Sequence, residues 1–344
     1  MRLATFVAQG RERAGFVLGD HVYGLLETQK AVAGLRISGP RPEFLDGQAF
    51  PESMEELLGL GQRGLDGARR VEDFVRAFAE QGRDPFELRH AAFLLDEVHL
   101  RAPIPRPRFL FGLTGNCPQT WRGKGFPSAQ YPLGLLRPWT CVRGHMETVT
   151  IPPIYREIRC ASELGVVVAP GGRNIPREKA MDHVVGYTCV NDIVSNHWKD
   201  IYTENSGGDP DFVDLCTSSY YGRATNGFAP VGPYITTAEE VGDPYGLLVY
   251  SRMSQEGSAM PATRDRAHSN AMIVGIDDAI VWLSRLVTLP PGAIIYMGTM
   301  GVDGYQVYPD QFFGPGGYVE VEYERVGVLR SPIEDLRRTA ESEG

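Results

Sequence analysis

The stretch Arg159–Gly172, RCASELGVVVAPGG, decides how the chain is read. Its apolar run ends in Pro-Gly-Gly, the pattern of a strand buried in a sheet and stopped by a turn. One carboxylate, Glu163, stands inside it. Alternation along a strand puts Glu163 on the face shared by Arg159, Ala161, Gly165 and Val167. A lone buried carboxylate costs on the order of several kcal/mol even after relaxation, so a cation is required beside it. The choice lies between a metal ion and a guanidinium, with Arg159 and Arg223 as the candidate arginines.

Working outward, short apolar strands separated by Gly- and Pro-rich turns fill about 230 residues. They include FLFGL, ELGVVVA, VVGYTCVND, APVGPYITT, GLLVYS, AIIYMGT and GYVEVEYERVGVL, which together describe a large sheet-dominated domain. Before them, RLATFVAQGRERAGFVLGDHVYGL alternates like a small antiparallel meander. SMEELLGLGQRGLDGARRVEDFVRAFAEQG has helical spacing, with Ser53 and Glu56 in capping-box positions. Within it, Gly59 to Gly64 (GLGQRG) matches a dinucleotide-binding glycine pattern in spacing only. Pyrophosphate binding needs a strand before the glycines, so this is read as a loop between helices. The proline-rich LRAPIPRPRF marks a boundary near residue 100. Late in the chain, Met272, Ile273, Ile276, Ile280, Leu283 and Val287 recur at helical spacing before Leu-Pro-Pro-Gly, which predicts one core-packing helix.

Composition narrows the function classes. With 344 residues, 42% apolar and 22% charged, the chain reads as a globular protein with a substantial core. A net charge of −9, with no basic run carrying interleaved aromatics, argues against nucleic acid as a partner. No apolar stretch approaches the roughly 20 residues that span a bilayer, and the N-terminus opens like a strand, so the expectation is a cytoplasmic protein with no membrane partner. Five scattered cysteines without C-x-x-C pairing suggest neither a disulfide framework nor a zinc site.

The order of these signals resembles the fumarylacetoacetate hydrolase superfamily. MRLATF and GFVLGDHVYGL resemble its N-terminal module, APIPRPRFLFGL the strand leading into its core, SELGVVVAPGGRNI and VVGYTCVND its two metal-bearing strands. GFAPVGPYITT is similar to its Pro-Gly-Pro turn, LVTLPPGAIIYMGTMGV to its Leu-x-Pro-Gly…Thr-Gly-Thr-Pro segment, and GPGGYVEVEYERVGVLR to its closing hairpin. The resemblance implies an α+β fold, a mixed β-sandwich roll core over 101–335 with a small N-terminal α+β module over 1–100, a C-terminal tail over 336–344, and a homodimer. It also implies an enzyme acting on a small anionic β-dicarbonyl, 2-oxo acid or enol substrate through an enolate, by C–C cleavage, decarboxylation, tautomerisation or cyclisation, with secondary metabolism as the expected setting. Two alternatives stand beside it: a catalytically inactive paralogue serving as a binding or partner subunit, and a metal-independent isomerase or cyclase on the same scaffold.

Members of that family hold Mg²⁺ or Mn²⁺ with three carboxylates, which suits hard ions that polarise a 2-oxo acid. Here Glu163 and Asp192 match two of the ligands, but the first glutamate falls on Ala161, so a metal-free site is a serious alternative. Other positions depart too. Pro118 lies near the place of the family's histidine, Asn196 replaces an arginine, His197 an aspartate, and Met300 the proline of Thr-Gly-Thr-Pro. The candidate site is therefore Glu163 and Asp192 for metal; His197, Arg223 and Arg137 for catalysis; and Thr299, Asn196, Tyr202 and Trp121 for substrate. Arg137 aligns with the family's substrate-side lysine, and Arg223 stands where another lysine is usual. His197 is the candidate replacement ligand or general base, since a histidine side chain can take either role. His145 is expected to be a structural histidine and Cys117 a buried inert thiol. The acidic, Gly- and Ser-rich run Asp200 to Arg223 is read as either a lid over the site or an exposed loop.

Overall fold

The computed structural model describes residues 1–35, 41–117, 131–155, 158–195, 221–254, 262–300, 306–308 and 316–337. Two β-sheets dominate, as the α+β expectation requires. The meander forms as read: β1 (Arg2–Ala8), β2 (Arg11–Leu18) and β3 (His21–Gly24) pair antiparallel in sequence order. The core supplies β4 (Leu110–Leu113), β5 (Ile158–Val168), β6 (Val184–Val194), β7 (Ala229–Thr237) and β10 (Ala293–Tyr296) to the same sheet, in the order β3-β2-β1-β7-β6-β5-β10-β4. Strand β1 pairs with β7 through Arg2 opposite Thr236, so the sheet runs unbroken across the boundary predicted near residue 100. A second sheet joins β8 (Leu248–Ser254), β9 (Ala262–His268), β11 (Tyr318–Tyr323) and β12 (Gly327–Asp335), in the order β9-β8-β11-β12.

Each face of the large sheet has its own cover. One packs on the N-terminal helices α1 (Leu25–Ala33), α2 (Met54–Gly59) and α3 (Gln62–Glu80), whose buried Leu65, Ala68, Val71, Val75 and Phe78 follow the three-and-four spacing of an amphipathic helix. Ser53 caps α2 by accepting the Glu56 N–H at 3.2 Å, as its position predicts. The predicted loop at Gly59–Gly64 shrinks to a break at Leu60 and Gly61, and α3 starts at Gln62. The other face meets α4 (Ile276–Leu286) and the second sheet through Leu164, Val166, Val168, Ile280, Ile295 and Val321.

Helix α4 is shorter than its apolar pattern predicts. Met272 and Ile273 precede it, because the Asn116 side chain takes the Val274 N–H at 2.7 Å and donates to the Val274 carbonyl at 3.0 Å. Those backbone groups are committed to a side chain and cannot join a helical ladder. The predicted tail also begins later than residue 336. Leu336 N–H donates to the Ile151 carbonyl at 3.1 Å, and Arg337 is buried against Asp335.

Candidate functional site

The β5–β6 register builds the site. Ala161 lies directly opposite Asp192, and Glu163 opposite Val190, so the two carboxylates sit on one face as diagonal neighbours. Both are buried. On the far side of β5, Tyr296 of β10 pairs with Gly165 and therefore shares the Glu163 face. Tyr296 also lies beside Gly112 of the parallel strand β4, where an added Cβ would stand 2.0 Å from the ring and 2.5 Å from the hydroxyl oxygen. Glycine at 112 makes room for the tyrosine.

Past β10 the chain turns at Gly298, whose φ of +81° favours glycine. The turn aims the Gly298 N–H at Glu163 Oε2 (2.8 Å) and the Thr299 hydroxyl at Oε1 (3.3 Å). Asn116 pins it by donating to the Met297 carbonyl at 2.8 Å. Burial, then the neighbouring Asp192 charge, hold the Glu163 carboxyl well above its ordinary pKa, against the pull of Gly298, Arg223 and Thr299.

The expected ion pair forms on the other carboxylate. Arg137 donates through Nη1 to Asp192 Oδ1 and through Nη2 to the Phe228 carbonyl at 2.8 Å, while Arg223 Nε reaches Asp192 Oδ2 at 3.4 Å. Glu163 itself takes backbone and hydroxyl donors rather than Arg159 or Arg223. Burial opposes charge on Arg137, but Tyr296, Asp192 and Cys141 around it raise its pKa and hold it protonated. The Tyr296 phenol is pushed well above its usual value, by burial first. Among the described residues, neither the Tyr296 hydroxyl nor Arg137 Nε has a hydrogen-bond partner.

Glu163, Asp192, Arg137, Arg223 and Thr299 thus converge as the sequence reading placed them. His197, Asn196, Tyr202 and Trp121 lie outside the described residues, as do Pro118 and most of the predicted lid. His145 is elsewhere: its Nδ1 accepts the Arg330 N–H at 3.2 Å, burial lowers its pKa, and it lines a cavity of about 510 Å³ with His99, Tyr234 and Gly327. Cys117 is buried. Tyr296 and Asn116 were not singled out from sequence. The signal for Tyr296 was present, since it lies three residues before Thr299 at the end of a strand.

The described residues do not fit a hard divalent cation. Such an ion takes about six oxygen ligands, and the third carboxylate position is Ala161. No group of three or more His, Cys, Asp or Glu side chains that could hold a metal occurs among the described residues. Both Asp192 oxygens face guanidiniums, and the unpaired groups beside them are the donor-only Arg137 Nε–H and the Tyr296 hydroxyl.

Comparison with known proteins agrees with this architecture. The family model for the fumarylacetoacetate (FAA) hydrolase C-terminal domain matches residues 118–334. The chain belongs to that family. The mitochondrial oxaloacetate tautomerase FAHD2A of Homo sapiens is 26% identical over 333 residues, spanning 97% of this chain and 91% of its own. The corresponding protein of Bos taurus is 28% identical over 300 residues, covering 86% and 85%. Among solved structures, maleylpyruvate hydrolase from Sphingobium sp. SYK-6 superimposes with a TM-score of 0.67 at 23% identity, covering 97% of this chain and 100% of its own. A second structure of that hydrolase, with manganese(II) and pyruvate, gives 0.64 at 22% identity, covering 97% and 99%. These structural likenesses establish the fold. No helix among the described residues is long and apolar enough to cross a membrane.

Proposed function

We propose that this FAA hydrolase family member catalyses enol–keto interconversion of a small 2-oxo acid of the oxaloacetate type at the Glu163–Asp192–Arg137 site. One observation carries the reading: two buried donors, the Tyr296 hydroxyl and Arg137 Nε–H, lack partners among the described residues and lie beside a pair of carboxylates. Buried polar groups in proteins are nearly always paired, so unpaired donors at one place suit an anionic oxygen that the substrate brings. An enolate or carboxylate is such a group. The relatives named as oxaloacetate tautomerases, which align over most of the chain, support the same class.

The chemistry conserves atoms. The enol loses its hydroxyl proton, the charge passes through the enolate, and a proton is added to the carbon next to the carbonyl. The guanidiniums of Arg137 and Arg223 stabilise the enolate charge in a site of low dielectric, where fixed positive groups act strongly. Glu163 is the proton-transfer group: its carboxylate takes the enol hydroxyl proton and returns it to the carbon, a role suited to a buried carboxyl held by two donors whose pKa is raised by burial and the Asp192 charge. A binding-only paralogue would have no need to bring both carboxylates and two arginines to one place.

The test follows the ultraviolet absorbance of enol-oxaloacetate decaying to the keto form. Wild type is expected to accelerate the decay, and Tyr296→Phe to lose about a hundredfold in kcat, the effect of removing one oxyanion donor. No acceleration by wild type of the tautomerisation of oxaloacetate or any other C3–C6 2-oxo acid would refute the proposal.

A further inference from the structure

We infer that the Arg137 guanidinium stands in the place of the divalent cation of this fold, so that the site works on a fixed protein charge and binds no metal. The inference rests on the Glu163–Asp192–Arg137 site proposed above and concerns where its positive charge comes from.

The register provides the opening. Ala161 faces Asp192 across the β5–β6 ladder and is itself buried, so a methyl group and not a carboxylate lies across from the aspartate. Arg137 enters beside Asp192. Its Nη1 takes Oδ1, its Nη2 is tied back to the Phe228 carbonyl at 2.8 Å, and only 5% of the residue is exposed. A guanidinium held at two of its nitrogens is a fixed charge, not a solvated surface arginine.

Charge balance points the same way. Asp192 contributes one negative charge and Glu163 at most one, against the two positive charges of Arg137 and Arg223. Among the described residues the cluster is already neutral or positive. A divalent ion would be repelled by both guanidiniums in a region that water does not screen. Every carboxylate oxygen also has its donor: Arg137 and Arg223 on Asp192, Thr299 and Gly298 on Glu163. Among the described residues the Tyr296 hydroxyl and Arg137 Nε remain unpaired. The guanidinium N–H can only donate, and the phenol hydroxyl beside it can donate to the same anion. The ligand class is therefore a small carboxylate or enolate bound directly by protein donors.

The test reads binding, not turnover. Mn²⁺ is titrated into wild type and into Ala161→Glu/Arg137→Ala, with the free ion followed by electron paramagnetic resonance. In parallel, oxalate, a mimic of a 2-oxo acid enolate, is titrated calorimetrically with EDTA present throughout. Wild type is expected to show no saturable Mn²⁺ binding below about 1 mM, and to bind oxalate equally with and without EDTA. The double variant, which restores a third carboxylate and removes the guanidinium, is expected to gain at least tenfold in Mn²⁺ affinity. Arg137→Lys, the conservative exchange that keeps the charge but loses the fork, should weaken oxalate at least tenfold in EDTA. Stoichiometric micromolar Mn²⁺ binding by wild type, or oxalate binding lost in EDTA and recovered with Mn²⁺, would overturn the inference even if the double variant failed to fold. If wild type ignores Mn²⁺, binds oxalate and yet moves no enol to keto, the charge substitution stands and the tautomerase reading falls.

Discussion

Replacing Arg137 by methionine should be among the most damaging single changes to stability in the molecule, and the structure sets the size of the effect. Arg137 and Asp192 are exposed by only 5% and 7%, so neither charge has water to fall back on. Arg137→Met keeps the bulk of the chain but leaves Asp192 with the 3.4 Å contact from Arg223, and the Phe228 carbonyl with only the Ile193 N–H at 3.0 Å. Breaking one side of a buried pair costs about 3–5 kcal/mol, against about 0–1 kcal/mol for a pair at the surface. Asp192→Asn in the same chain removes the stranded charge while its amide oxygen still accepts from Arg223. The double variant should therefore be more stable than Arg137→Met alone, by about 1–3 kcal/mol, where independent sites would add their losses. Urea unfolding followed by tryptophan fluorescence gives both differences from the midpoints, provided the slopes agree. A loss below about 1 kcal/mol for Arg137→Met, or a double variant no better than the single one, would refute the claim that this guanidinium is a buried structural charge.

The raised pKa of Glu163 predicts an inverse pH dependence. Its stabilising share is fully present below its unfolded value and is lost as pH rises towards its folded value, because the folded state holds the proton longer. Within that window wild type should lose about 1.4 kcal/mol per pH unit relative to Glu163→Gln, and parallel urea-midpoint profiles for the two proteins would contradict the assignment. Gly112→Ala puts a Cβ 2.0 Å from the Tyr296 ring, between strands whose register leaves little room to part. It should cost about 1–3 kcal/mol in urea unfolding and lower tautomerase activity together with stability, whereas a neutral result would mean that the Tyr296 ring is not fixed against β4.

The parts of the molecule that were legible in the sequence are those written in local pattern. Period-two alternation named the strand carrying Glu163 and its face, and the resemblance to the fumarylacetoacetate hydrolase superfamily named the fold. Alternation gives the face of a residue but not the partner across the ladder, and the partner is what matters here. Only the register reveals that Ala161 faces Asp192 rather than another position of β6, and so that the position of the missing carboxylate lies directly across the ladder from the aspartate. That is why Arg137, 55 residues away, pairs with Asp192, while Glu163 takes the Gly298 and Thr299 donors in place of the expected arginine. Asn116 escaped for a related reason. Its three bonds, to both backbone groups of Val274 and to Met297, join segments about 160 and 180 residues distant, and no local pattern distinguishes it from an asparagine in a turn. Those bonds end the apolar pattern of α4 early and also fix the turn that aims the Gly298 N–H at Glu163. One buried amide therefore ties the helix boundary that the sequence misplaced to the Glu163 half of the candidate site.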